Sequence, residues 1–331
     1  MAPANNAPSP LVTAVVRTYN RADGFGKSVD TVLQQSFRDF ELIIMDDCSR
    51  DHTPERARAY EQAHDNVRYI RHETNRGPGA AFNTAIAAAR GRYIAFLDDD
   101  DLWRTDKLEN QLRAFSEADE RTALVNCGVQ YWDGENNTPL HTWIPEMSGN
   151  VYWQALGSSG HIFGPPSAVM MDLAAVRKTG PFREDMPRGC CQQYYRRLAR
   201  DFHIRAMNKI GVDYYYHKNA ITYVASRADV QKDIVSRRIR LDTFAEDMPK
   251  VPGIYARELG KMAELHFKVG EIAEARAYLK QAAAYAPPTR RERLIALLCG
   301  VEGVGRLASS LLWRGRKLRS ALKAPSAPQG S

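Results

Sequence analysis

Four consecutive aspartates, Asp98 to Asp101, follow the apolar run Tyr93 to Leu97 (YIAFL) and form the densest cluster of like charge in the chain. A solvated acidic turn is one reading of them. Like charges this close repel, however, and a divalent cation that takes oxygen ligands relieves the repulsion while leaving room for phosphate oxygens. Two other polar groups close similar runs. Thr18-Tyr19-Asn20 follows Leu11 to Arg17 (LVTAVVR), and Asp46-Asp47 follows Phe40 to Met45 (FELIIM). Tyr19 suits either a core position or a platform for stacking a base. Asp46 and Asp47 suit a turn with Ser49 and Asp51 as well as a ligand contact. Asn75-Arg76-Gly77-Pro78-Gly79 opens a helix and reads equally as a plain turn or as a phosphate contact made by N–H groups and Arg76. His217, after Tyr214 to Tyr216, is either structural or a late metal ligand.

The elements that must position these groups alternate. The three apolar runs read as buried strands, with a helix over Gly26–Gln35 between the first two. A helix over Pro54–His64, a strand over Val67–Arg71 and a helix over Gly79–Arg90 lead to the strand YIAFL. Strands alternating with helices imply a mostly parallel, Rossmann-like sheet covered on both faces. Ligands of such sheets gather beyond the carboxyl ends of the strands, where the three polar groups stand. That rim can hold a base, a ribose and a cation. Farther on, strands are expected at Leu124–Tyr131 and Ala168–Met171, then helices at Leu173–Lys178 and Gln192–Arg200. From Tyr255 the pattern is helical. The pair Arg257–Lys268 and Ile272–Tyr285 resembles one tetratricopeptide unit.

The expected fold class is therefore α/β, with a small all-α appendage after the sheet domain. The expected division is a lead over 1–10, an α/β domain over 11–240, a helical hairpin over 250–288, a basic amphipathic tail over 289–323 and an end over 324–331; the lead and the end read as disordered. The 331 residues, 44% hydrophobic and 26% charged, suit a globular chain and exclude a fibrous or disordered one. The net charge of +7 lies wholly in the stretch from Pro287 onward, which argues against a nucleic-acid-binding face on the rest. Leucines at helical spacing among its arginines suit either packing on the appendage or an anionic membrane surface. No run is long enough to span a membrane, and the N-terminus lacks a basic start and an apolar stretch, so the expected location is cytoplasmic. The five cysteines include one adjacent pair, Cys190-Cys191, and suit reduced thiols.

Val15 to Arg21 (VVRTYNR), Val32 to Thr53 (VLQQSFRDFELIIMDDCSRDHT) and Asn75 to Asp101 (NRGPGAAFNTAIAAARGRYIAFLDDDD) together resemble the family-2 glycosyltransferases, whose GT-A fold binds nucleotide sugars. The resemblance is strong over Leu11 to Asp106, looser to Arg200 and absent beyond Tyr255. It implies that Tyr19 stacks on uracil, Asp47 accepts from the base, Asp99 lies near the ribose or metal, and Asp100 is the metal ligand of an Asp-x-Asp motif. Thr18, Asn20, Asn75, Arg76 and Asp98 join them as nucleotide-sugar contacts, and His217 joins Asp100 at a Mn²⁺ or Mg²⁺ ion. The implied reaction moves a sugar from a UDP-sugar to a hydroxyl of a glycan or polyprenyl-diphosphate-linked acceptor, with inversion. No Gln-x-x-Arg-Trp motif of processive members is present.

Inversion requires a base for the acceptor hydroxyl. The family places an acidic residue before a helix ending in Arg-Leu, and here Cys191 occupies that place. Asp185, with Glu184 beside it, is the nearest carboxylate. A thiol has a pKa several units above that of a carboxylate and is an unusual base for this step. Two rival functions remain open at this point: a nucleotidyltransferase, which ordinarily carries a Gly-rich phosphate loop after its first strand, and a catalytically inactive scaffold that binds sugar nucleotides.

Overall fold

Seven residues of LVTAVVRT, Val12–Thr18, form strand β1, and all but Arg17 are buried, as a strand covered on both faces requires. In the computed structural model, which describes residues 9–158, 160–217, 226–300, 303, 305 and 307–310, the chain divides into two compact units, 1–223 and 224–331.

In the first unit, β1 is followed by α1 (Phe25–Leu33), β2 (Phe40–Asp46), α2 (Thr53–Ala63), β3 (Val67–Arg71), α3 (Pro78–Ala88), β4 (Tyr93–Asp98), β5 (Leu102–Trp103), α4 (Lys107–Ser116), β6 (Thr122–Asp133) and β7 (Thr138–Trp143). Next come α5 (Tyr152–Ser158), α6 (Gly160–Phe163), a 3₁₀ turn at Pro166–Ala168, β8 (Val169–Asp172), α7 (Leu173–Thr179), α8 (Cys190–Asp201) and β9 (His203–Tyr216). The strands join one curled, mixed sheet in the order β3-β2-β1-β4-β8-β6-β9-β5, with β7 on β6. The pairs among β1, β2, β3 and β4 are parallel, as is β6 with β9, while β8 runs antiparallel between β4 and β6. Because β2 lies on one side of β1 and β4 on the other, the order reverses at β1. The crevice beyond the carboxyl ends of β1 and β4 is therefore the switch point at which such sheets bind ligands.

The core packs Val12, Ala14 and Val16 with Leu42, Ile44, Ala95, Leu97 and Phe25. Glu41, 2% exposed in this apolar setting, ties three elements together. It accepts from Thr13 Oγ1 (2.8 Å), from the Arg90 backbone N–H and Nε (2.8 Å each), and from Arg68 Nη1 (3.1 Å). Gly91 sits so close to β1 that a Cβ there would lie 2.5 Å from the Thr13 nitrogen.

Helix α4, absent from the sequence reading, carries Leu108, Leu112 and Phe115 at helical spacing, whereas the 14-residue strand β9 lacks a clean period. Strand β9 shifts register against β6 between Asn126 and Val129, and its buried residues do not alternate with exposed ones, which blurs its pattern. The stretch Trp132 to Ser159, which reads as an irregular excursion, contains β7 and α5.

The second unit comprises α9 (Arg227–Thr243), a 3₁₀ turn at Met248–Lys250, α10 (Pro252–Val269), α11 (Ile272–Ala283) and α12 (Arg290–Cys299). Its existence corrects the expected boundary at 240. Val230 and Ile234 of α9 pack on Met262 and Val269 of α10, so α9 belongs with the helices. Ser226 with Asp229, and Thr289 with Glu292, form capping boxes at the starts of α9 and α12. Gly270, at φ 79°, closes α10 in the left-handed conformation before α11. Residues 1–8 of the expected lead, residues 311–323 of the expected tail and the end over 324–331 lie outside the described residues. Among the described residues no helix is long and apolar enough to cross a membrane.

Burial opposes the charge of Glu41, but its bonds from Arg90, Thr13 and Arg68 outweigh that cost and hold its pKa below the ordinary value. A depressed carboxylate stabilises the fold at neutral pH and loses that contribution as the pH falls through its folded pKa. Glu41→Ala should therefore cost about 1–3 kcal/mol at pH 7 in thermal or denaturant unfolding, with the gap from wild type narrowing below pH ~4.

Candidate active site

Parallel pairing brings the polar strand ends together. Thr18 lies opposite Asp46, and Arg17 opposite Asp98. Asp98 is neutralised by Arg17, whose guanidinium also stands 4.0 Å over the Phe82 ring. Asp101 is fully buried, accepts from Ser167 Oγ (2.5 Å) and the Tyr215 N–H (3.4 Å), and so closes the turn onto β9. Burial, then the charges of Asp100 and Asp98, push its pKa well up. The four aspartates are thus not one ligand set. Two are engaged by the fold, and Asp99 and Asp100 remain.

Among the described residues, Arg21 is the cation that pairs with both of these: its Nε lies 3.7 Å from Asp99 and its Nη2 2.8 Å from Asp100. Burial and the neighbouring Asp100 charge push Asp99 up to about 6. Asp100 is also raised, by burial and Asp98, against the charges of Arg21 and His217. Two hard oxygen donors with one shared guanidinium are short of positive charge, and this donor set fits a divalent cation. Among the described residues no group of three or more His, Cys, Asp or Glu side chains is gathered as a metal cage. The ring of His217 packs at the turn after β6, where a Cβ on Gly134 would lie 2.5 Å from its Nδ1.

Tyr19 extends past β1 and is 43% exposed, with its N–H donating to Asp99 Oδ2 (3.3 Å). The exposure favours the platform over the core position. Asn20, left-handed at φ 52°, clamps two loops: its N–H donates to Ser49 Oγ and its Oδ1 accepts from the Arg50 N–H, both at 2.8 Å. Asp46 is buried, accepting from Tyr69 (2.7 Å) and the Ser49 N–H (2.8 Å). Asp47 accepts from the N–H groups of Arg76 (2.9 Å) and Gly77 (2.7 Å) and meets His72 Nδ1 at 2.7 Å. Those three donors fill most of the roughly four acceptor sites of a carboxylate. Its structural work is to hold the loop before α3, where Gly77 takes φ 83°. Asn75 is exposed on that loop, and Arg76 Nη2 pairs with Glu184 Oε2 at 3.0 Å.

Asp185, the expected carboxylate base, belongs to a segment that lies against the start of α3, where its neighbour Glu184 pairs with Arg76. Asp185 lies in solvent on Arg183 (2.6 Å), which holds its pKa below the ordinary value. Cys190 and Cys191 begin α8, and the charges of Arg17 and Asp98 act on both thiols. Donation to Cys190, then burial, push the Cys191 thiol well up, so it keeps its proton at neutral pH. Tyr195 of α8 is completely buried, and its hydroxyl has no hydrogen-bond partner among the described residues.

Sequence reasoning missed Arg17, Arg21, His72 and Ser167. A charged residue inside the β-branched run LVTAVVR was a usable signal for Arg17; Ser167 had none. A cavity of about 350 Å³ lies at the opposite end of the central strands, beside Arg92, Tyr93, Asp172 and Lys178, away from these groups.

Residues 13–177 match the family model described as glycosyl transferase family 2. TuaG of Bacillus subtilis, named for teichuronic acid biosynthesis, is 37% identical over 147 residues, 44% of this chain and 57% of TuaG. WfgD of Escherichia coli, a UDP-Glc:α-D-GlcNAc-diphosphoundecaprenol β-1,3-glucosyltransferase, is 37% identical over 102 residues, 31% of this chain and 40% of WfgD. The chain thus spans little more than half of TuaG and less than half of WfgD. Two solved structures share the fold. TarS 1–349 of S. aureus in complex with UDP-GlcNAc superposes with a TM-score of 0.62 at 17% identity, covering 94% of this chain and 91% of that one. The mannosyltransferase PcManGT from Pyrobaculum calidifontis, in complex with GDP-Man and Mn²⁺, gives 0.54 at 18% identity over the same shares. The sheet is of the GT-A type, and through residues 13–177 the chain belongs to glycosyl transferase family 2.

Proposed function

We propose that this chain transfers a sugar from a nucleotide sugar, with UDP as the nucleotide, to a hydroxyl of a glycan or polyprenyl-diphosphate-linked acceptor, with inversion. The observation that carries the reading is the Asp99–Asp100 pair at the switch point, served by Arg21 and flanked by the exposed Tyr19. Tyr19 takes the face of the base. Asp98, fixed by Arg17, and Asp99 face the ribose. Asp47 fixes the loop that turns Asn75, Arg76 and the start of α3 toward the phosphates. Asp100 and Asp99 would hold the divalent cation, which would supply positive charge against the departing diphosphate, and His217, placed at the Gly134 turn, is not gathered with them as a third ligand. The complex of TarS with UDP-GlcNAc and the donor named for WfgD support UDP, the Mn²⁺ complex of PcManGT supports the cation, and the diphosphoundecaprenol acceptor named for WfgD supports a lipid carrier.

A second reading, a scaffold that binds sugar nucleotides without turnover, is favoured by two observations: Asp185 faces solvent, and the Cys191 thiol is pushed well up. Release of UDP from UDP-GlcNAc or UDP-Glc with Mn²⁺ and candidate acceptors separates the two. Binding without release across that panel overturns transfer. On the transfer reading, Asp100→Ala should lower kcat by about 100-fold or more. Tyr19→Ala should raise the donor KM about 10-fold, within the roughly 1–3 kcal/mol of a stacked base. Asp185→Asn should leave turnover within about 2-fold, since its carboxylate acts on Arg183 rather than on the acceptor.

The cation also predicts a stability profile. Asp99 has a folded pKa of about 6 against a free value of 3.8, so without metal the fold should lose stability as the pH rises between those values and level off above them. Mn²⁺ should raise Tm at pH 7 in wild type and leave Asp100→Ala unchanged; an equal shift in both would remove the metal assignment.

A peripheral location at the membrane is supported by α12. Leu294 and Leu297 are 56% and 76% exposed on a helix that begins with Arg290, Arg291 and Arg293. An apolar row beside arginines suits an anionic bilayer. The full chain should sediment with phosphatidylglycerol vesicles and not with phosphatidylcholine, and Leu294→Glu with Leu297→Glu should abolish the difference.

A further inference from the structure

The thiols at the start of α8 have no role in the donor contacts proposed above, although the charges of Arg17 and Asp98 reach them. Cys190 Sγ and Cys191 Sγ are 3.9 Å apart. Cys190 is 2% exposed, Cys191 is half-buried, and Gly189 before them is left-handed at φ 70°. Among the other cysteines, Cys127 and Cys299 are buried, and Cys48 contacts the Glu73 carbonyl at 3.2 Å. The free N–H groups of a helix start and a nearby arginine, here Arg17, both favour thiolate and hence exchange.

We propose that Cys190 and Cys191 are a reversible thiol-modification site, which a low-molecular-weight disulfide closes into a vicinal disulfide. The pair carries its first negative charge on Cys190, which the Cys191 thiol faces at 3.9 Å; Cys190 takes the Cys191 proton as the more exposed Cys191 sulfur attacks one sulfur of the oxidant, forming a mixed disulfide and expelling the first small thiolate. The Cys190 sulfur then attacks Cys191 Sγ, forming the ring and expelling the second. Two electrons pass from the protein thiols to the oxidant, and their two protons end on the two small thiols released. Adjacent Cα atoms stand about 3.8 Å apart across a trans peptide, short of the usual disulfide span. Closure therefore distorts the first turn of α8, where the Gln193 N–H donates to the Gly189 carbonyl (3.1 Å) and Gln192 Nε2 to the Gly164 carbonyl (2.7 Å). A strained bond of this kind is readily reduced, which makes the modification reversible. The chemistry belongs to the thiols and holds whether the rim transfers sugar or only binds it.

The test uses the full chain, reduced, treated with excess glutathione disulfide, trapped with iodoacetamide and digested with trypsin. The peptide Gly189–Arg196 contains both thiols and no other cysteine. It should be recovered two hydrogens lighter and unalkylated, at least about 10-fold faster than Cys48 reacts, and should return to two alkylated thiols after dithiothreitol. Cys190→Ser should instead hold glutathione on Cys191. Two alkylated thiols after treatment of wild type, or a lasting glutathione adduct without the ring, would overturn the proposal.

Discussion

Adjacent carboxylates repel several-fold more strongly in a partly dry rim than in water, and the elements around the end of β4 are arranged to relieve that repulsion. Arg17, placed across from Asp98 by the β1–β4 register, neutralises the first carboxylate. Ser167 and the Tyr215 N–H serve the last. Arg21 is then shared between the middle two. What remains is a controlled deficit of positive charge at two oxygen donors, set beside the exposed ring of Tyr19.

A second network holds the rim in shape. Asp47 gathers His72 and the start of α3, and His72 Nε2 passes the contact to Thr84 Oγ1 at 2.8 Å. Asn83 of α3 exchanges hydrogen bonds with the Phe182 backbone, and Phe182 stacks between Phe82 (4.5 Å) and Tyr194 (3.7 Å). Gly79 lies against the Arg183 carbonyl, which would be 2.4 Å from any Cβ there. These contacts fix the segment before α8 so that Glu184 meets Arg76 and Asn83 of the α3 region while Asp185 lies in solvent on Arg183.

The helical unit manages charge by a different route. Glu258, 2% exposed on α10, is held by Arg237 and Arg240 of α9 and by Lys261. Burial opposes its charge and these cations more than offset it. Removing Glu258 would leave two partly buried guanidinium groups facing each other, a costlier state than the loss of one surface pair.

The sequence by itself determined the alternation of strands and helices to β4, because local period is written in neighbouring residues, and it placed Tyr19, Asp47 and Asp98–Asp101 at strand ends. It also showed that Cys191 stands where an acid is expected. Only the tertiary structure decided which of those groups face a ligand. Asp98 and Asp101 are satisfied by Arg17 and Ser167, dozens of residues away in the chain, and Asp47 by a loop near α3. The parallel pairing of β9 with β6, which brings the Tyr215 N–H to Asp101, has no local signature because its register shifts break the period. The placement of α9 with the helices likewise rests on contacts with α10. Pairing partners are chosen by strand order and packing, which act through space, whereas a sequence pattern reports only what a residue and its near neighbours prefer.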